Sequence, residues 1–183
     1  MMEPAEATAA ILDYWFGEIG PDRWWVRSDQ TDAAIVDRFR ELWEEWRSRT
    51  PASFLGSARE ALAGVILFDQ FPRNMFRGHA DAFSTDPLAL AIAKGAVERG
   101  LDEALAPGER GFLYMPFQHS EVPADQQRSL ALFTALGDEK SLAFAHAHHD
   151  MIARHGRFPA RNAALGRADR PGEQSAIEMS SDW

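Results

Sequence analysis

The apolar positions of this chain recur at helical spacing almost from end to end, and strand-like alternation is nearly absent. Pro4 opens a first helix in which residues 9–16 are apolar, with Gly17 as its expected C-terminal cap. After a tryptophan-rich turn, Asp29 is placed to cap a long helix with Ile35, Phe39, Leu42, Trp43 and Trp46 on one face. Asp37, Arg40, Glu44 and Arg47 fill the other. Ser57-Ala58-Arg59-Glu60 reads as a capping box leading into Leu62, Val65, Ile66 and Phe68, and the Phe71-Pro72 step is expected to stop that helix. Thr85-Asp86-Pro87 starts a helix that reaches Arg99 and ends at Gly100. A shorter helix is expected over residues 109–115, broken by Pro116. Pro123 opens a helix carrying Leu130, Leu132, Phe133 and Leu136 up to Gly137, and Asp138 caps a last long helix that runs to Gly156. The rest reads as loop, with a short helical stretch after Pro171.

Brief connections cannot span a helix length, so sequential helices are expected to lie antiparallel. The pattern predicts an all-α fold, an array of about seven to eight antiparallel helices. A single all-helical domain is expected over residues 1–183, with 168–183 as a loosely attached C-terminal segment. Trp15, Phe39, Trp43, Ile66 and Phe133 are assigned to its core.

Composition narrows the function classes. A net charge of -9 argues against general affinity for nucleic acid or an anionic membrane, because polyanion binding needs many cationic side chains facing phosphate. With no cysteine, disulfide and thiolate chemistry are excluded. The N-terminus is acidic where a secretory signal would be basic, and no apolar run approaches the ~20 residues of a membrane span, so a cytoplasmic protein is expected. Nothing in the sequence predicts a cofactor or an oligomeric state.

Candidate chemistry gathers in three places. A phrase occurs twice: Asp69-Gln70-Phe71-Pro72-Arg73-Asn74, and Gly156-Arg157-Phe158-Pro159-Ala160-Arg161-Asn162. Each copy offers a Phe-Pro step followed by an Arg and an Asn. At the first corner, Asp69, Arg73, Asn74 and Arg77 can either fork onto a carboxylate or phosphate, or tie the turn to itself. The second place is Gln118-His119-Ser120-Glu121, where His119 and Glu121 suit acid–base work; Ser120 or Glu121 serves equally as a helix cap before Pro123. The third is His146-Ala147-His148-His149-Asp150, followed by Arg154, Arg157, Arg161, Arg167 and Arg170. No second cluster at ligand spacing completes a metal site, so none is expected. Five arginines from Arg154 to Arg170 face one acid, Asp169, in an acidic chain. A positive pocket of that kind suits a small anion or an acidic peptide, whereas arginines near a helix end also cap carbonyls and pair with neighbouring acids. The two corners are expected to meet in space.

The combination of Leu12-Asp13-Tyr14-Trp15-Phe16-Gly17, the first corner, His119-Ser120-Glu121 with Gln126, and the second corner up to Leu165-Gly166-Arg167 resembles the bacterial family called domain of unknown function 924. The resemblance covers nearly the whole chain, with departures at His155, at Ala160 and in the tail after Arg167. It implies an all-helical fold similar to tetratricopeptide-repeat proteins and carries no reaction with it. The expected function is binding of an anionic small molecule or acidic peptide, with Asp69, Arg73, Asn74, Arg77, Arg154, Arg157, Arg161, Asn162 and Arg167 as its residues. The alternatives are an enzyme using His119 or His148 as acid or base beside Glu121, and a protein–protein interaction scaffold.

Overall fold

Local capping rules set most of the helix boundaries in the computed structural model, which describes residues 2–179. Helix α1 (Pro4–Leu12) carries Pro4 in its first turn and runs on into a π-helical turn over Asp13–Ile19. Gly17 therefore does not end it. Gly20, at φ 71°, does, because Gly17 keeps a helical backbone and Gly20 takes a positive φ that turns the chain out of the helix. Helix α2 (Asp29–Trp46) is capped one residue earlier than expected: Ser28 Oγ accepts the Thr31 N–H, and Asp29 lies in the first turn, where its charge complements the helix dipole.

The Ser57 cap of α3 (Ala58–Val65) forms as read, with Ser57 Oγ accepting the Glu60 N–H. The helix does not stop at Phe71-Pro72. It passes through a π-helical turn over Ile66–Gln70 into α4 (Phe71–Met75). Phe71 N–H reaches five residues back to Ile66 O, and this wide turn leaves Pro72 in the first turn of α4, where a missing N–H is tolerated. Pro72 still cannot donate to Phe68 O, four residues behind it. The Thr85 hydroxyl donates there instead at 2.7 Å and accepts from Trp43 Nε1 at 3.1 Å. Thr85 thus precedes α5 (Asp86–Glu98) without capping it through its side chain.

Two compact units divide the chain: one reaches Arg77 and resumes over Asp81–Pro116, and the other holds Gly78–Ala80 and everything from Phe117. In the first unit, α3 packs against both α1 and α5, and every residue from Ala61 to Gln70 is buried. Gly64 permits this approach, since a Cβ there would stand 3.1 Å from both Ile92 and Phe54. Trp15 sits edge-on to Phe71 and Phe112, and Trp43, Phe39 and Ile66 are buried as expected. Helix α6 (Pro107–His119) is longer than the sequence suggests and holds Pro116 inside it rather than breaking there; the division between units falls within this helix.

The second unit is built on α7 (Pro123–Leu136) and α8 (Glu139–His155), packed together and joined by Gly137 and Asp138. Gly137 closes α7 at φ 77°, Asp138 Oδ2 caps α8 through the Ser141 N–H, and Gly156 ends α8 at φ 70°. Phe133 is buried as expected. A 3-10 turn at Pro159–Arg161 and helix α9 (Gln174–Met179) complete the unit. The fold is all-helical, with no strand among the described residues. No described helix is long and apolar enough to cross a membrane.

The Trp43–Thr85–Phe68 chain gives the first prediction. Thr85→Val keeps the volume but strands the Trp43 N–H and the Phe68 carbonyl, so unfolding in denaturant should show a loss of about 1–3 kcal/mol, largely recovered in Thr85→Ser. Trp43→Ala should cost about 3–5 kcal/mol, and a loss below about 1 kcal/mol would mean that the ring contributes little to the core.

Candidate functional site

Each corner is tied by carboxylates that lie outside it in sequence: Asp86 and Asp32 on α5 and α2 for the first, Glu121 and Glu173 just before α7 and α9 for the second. In the first unit, Asp69 is fully buried at the π-helical turn; Gln70 Nε2 donates to its Oδ2 at 2.6 Å, and Arg73 Nη1 lies 3.4 Å from its Oδ1. The Arg73 fork itself closes on Asp86 at the start of α5, with Nη1–Oδ1 at 2.9 Å and Nη2–Oδ2 at 3.0 Å. Arg77 places a second fork on Asp32 of α2, and Asn74 Nδ2 donates to the same carboxylate at 2.8 Å. Arg73 thus pairs with Asp69 within its own corner and with Asp86 beyond it, while the Arg77 fork is on Asp32. An open depression of about 440 Å³ in this unit, lined by Leu12, Asp13, Phe16, Gly17, Arg59 and Glu109, contains none of the sequence-predicted residues.

In the second unit, Ser120 Oγ donates to Asp125 Oδ2 at 2.7 Å and receives the Val122 N–H, which fixes the start of α7. Gln126, fully buried, donates to the carbonyls of Gln118 and Ser120, both at 2.7 Å, and so holds the 118–120 backbone in place. Glu121 points toward the second corner. It accepts the Phe158 N–H at 2.7 Å and both terminal nitrogens of Arg167, the shortest at 2.9 Å. Burial pushes the Glu121 carboxyl up, but the Arg167 and Phe158 donors outweigh it and hold it below its ordinary value.

The same corner brings His119, His148 and Arg161 together. Arg161 Nη2 donates to His119 O at 3.0 Å, and its guanidinium lies 4.5 Å above the Phe158 ring centre. The His148 ring meets Phe158 edge-on at 5.5 Å and stands 5.9 Å from the His119 ring. His148 is buried on α8, and its Nδ1 sits 2.8 Å from Phe144 O; a carbonyl only accepts, so the proton is on Nδ1 and Nε2 is directed away from the helix backbone.

Arg157 and Asn162 serve a different purpose. Arg157 Nε and Nη2 bond Glu173 at 2.8 and 2.6 Å, and Asn162 Nδ2 adds a contact at 3.0 Å. The Arg157 fork holds the Glu173 carboxyl down at about 2, with help from the Arg170 N–H and Asn162. In the described part of the C-terminal segment, Glu173 is the buried carboxylate that meets Arg157 and Asn162; residues 180–183 of that segment lie outside the described residues. Glu173 escaped the sequence reading because the charge count ended at Arg170, three residues short of it. Arg154 is exposed and makes no side-chain bond or ion pair with a described residue. Among the described residues no three of His, Cys, Asp and Glu are placed to hold a metal ion.

The corners define an all-helical protein in which arginine forks are fixed by carboxylates from distant positions. The chain belongs to the family of bacterial proteins of unknown function DUF924, whose model matches residues 11–180. A solved structure of a protein of unknown function from Agrobacterium tumefaciens is 40% identical and superposes with a TM-score of 0.90, covering 97% of this chain and 99% of that one. No curated protein matches.

The depressed Glu173 carboxyl makes stability depend on pH in a definite direction. A group held down at about 2 in the folded chain, against an ordinary value of 4.5, contributes fully above pH 4.5. That contribution is lost as pH falls from there toward 2, and the lowered Glu121 carboxyl acts in the same sense. Melting temperature in Glu173→Gln should therefore fall less steeply with acidification than in wild type. Coincident slopes would show that Arg157 does not hold the carboxylate.

Proposed function

We propose that this protein binds a small anion, or the acidic group of a peptide, at the cluster of Arg161, His119 and His148. The observation that carries the reading is that the Arg161 guanidinium and the His148 ring both pack on Phe158, with the His119 ring beside His148, in a chain of net charge -9. Arg73, Arg77, Arg157 and Arg167 have their forks on carboxylates, which argues that they frame the protein rather than form the binding face. Arg161 lies over the Phe158 face with one N–H on the His119 carbonyl, two contacts that orient its plane. Planar donors so fixed suit two-point recognition of phosphate or carboxylate, and a protonated imidazole adds to the field.

The tautomer of His148 favours a second reading, in which the bound anion undergoes acid–base chemistry with His148 as the proton carrier. A backbone carbonyl on Nδ1 is the arrangement that aims Nε2 at a reacting group.

Thermal melting against phosphates, carboxylates and acidic peptides tests the binding. A ligand at a hundred times its dissociation constant should stabilise wild type by roughly 2.7 kcal/mol. Arg161→Lys, which keeps the charge and loses the fork, should remove most of that shift, while Arg154→Lys leaves it intact. An unshifted wild type across the panel, or equal losses in both variants, ends the reading. For the catalytic version, phosphorus NMR of the stabilising phosphates should show turnover that His148→Asn abolishes.

A further inference from the structure

We propose that Arg157 and Asn162 form a seat for an acidic peptide segment, and that the chain's own turn at residues 168–173 occupies this seat in cis. This goes beyond the Arg161 site, since it uses different side chains and takes two carboxylates from one segment.

The seat has the chemistry of a carboxylate receptor. Arg157 presents Nε and Nη2 as a planar fork to Glu173, and Nη2 also donates to Ala168 O at 2.8 Å. Asn162 Nδ2 reaches two carboxylates at once, Asp169 Oδ1 and Glu173 Oε2, each at 3.0 Å. The amide cannot turn over to present its oxygen, because Asn162 Oδ1 accepts from Arg167 Nε at 3.1 Å and Arg167 is itself clamped by Glu121. Arg157 and Asn162 therefore point donors, in fixed orientation, at one small volume. Glu173 fills it with 1% of its surface exposed.

Beyond these bonds, the described part of the segment is held by Arg170, whose Nη1 donates to His155 O at 3.5 Å, and by α9 against the Pro159–Arg161 turn. Residues 168–172 are exposed, and α9 is six residues long with Ala176 as its buried residue. Within the turn, the Arg170 N–H and the Glu173 carboxylate bond each other at 2.8 Å, so the segment arrives as a preformed loop with Asp169 and Glu173 on one side. A segment anchored through charge-assisted bonds rather than apolar burial is exchangeable for another that offers the same groups. The seat specifies that partner: two carboxylates four residues apart across a turn, the spacing of Asp169 and Glu173.

The probe is a fluorescent synthetic peptide of residues 168–179, measured by anisotropy against the full-length chain. Occupation in cis lowers the fraction of competent seats, so Glu173→Ala should bind the peptide at least about tenfold more tightly than wild type. The peptide carrying Asp169→Asn and Glu173→Gln should bind neither protein. Adding Arg157→Lys to Glu173→Ala should remove the gain, because an ammonium keeps the charge without the fork. Equal affinity for wild type and Glu173→Ala, no binding to a folded Glu173→Ala, or retained binding with Arg157→Lys would each overturn the proposal. Should Glu173→Ala fail to fold, Glu173→Gln keeps the side-chain volume and is read by the same outcomes. Peptide anisotropy is independent of anion-induced melting, so failure here is distinguishable from failure at Arg161.

Discussion

A guanidinium removed from water must have its planar donors met, and a carboxylate meets two of them at once. That constraint organises both units. In the first, Arg73 on Asp86 ties α4 to the start of α5, while Arg77 and Asn74 on Asp32 tie the same turn to α2. In the second, Arg167 on Glu121 joins the turn before α7 to the backbone at Phe158, and Arg157 on Glu173 brings the C-terminal segment against the end of α8. Lysine stands at none of these four places. An ammonium would supply the charge but not the two-edged geometry that fixes one element to another.

Helix starts and stops were legible because they are local. Ser57, Asp138, Gly100, Gly137 and Gly156 act through bonds or backbone angles within four residues of themselves, and their positions in the sequence were enough. The π-helical turns were not legible, since a shift from four-residue to five-residue hydrogen bonding changes no residue type. Gly17 and Pro72 were misread for that reason, each being a local stop signal overridden by the turn around it. The carboxylate partners were hidden by distance: Asp32 lies 42 residues before Asn74, and Glu121 lies 46 before Arg167. No linker announced the two units, because the division runs through the continuous helix α6.

The twin corners show how far a repeated phrase determines structure. Both contain Phe-Pro followed by Arg and Asn, yet the first continues a helix and the second follows a break. The difference lies upstream. Gln70 precedes the first corner in a helical conformation, with the π-helical turn absorbing the proline, whereas Gly156 reverses the backbone at φ 70° and leaves Phe158 extended. The prolines then act in different ways. Pro72 leaves Phe68 O without its helical donor, a vacancy that Thr85 fills and that links Trp43 to the turn. Pro159 merely starts a short turn.

The asparagines diverge for the same reason. In the first corner Asn74 shares the Asp32 carboxylate with Arg77 and so doubles an existing tie. In the second, the extended Phe158 turns the chain so that Arg167 reaches the oxygen of Asn162, and the Asn162 amide nitrogen is left aimed at Asp169 and Glu173. One phrase on two backbones thus yields a cross-brace in the first unit. In the second it yields a set of oriented donors, and the two corners differ in that orientation rather than in the number of arginines.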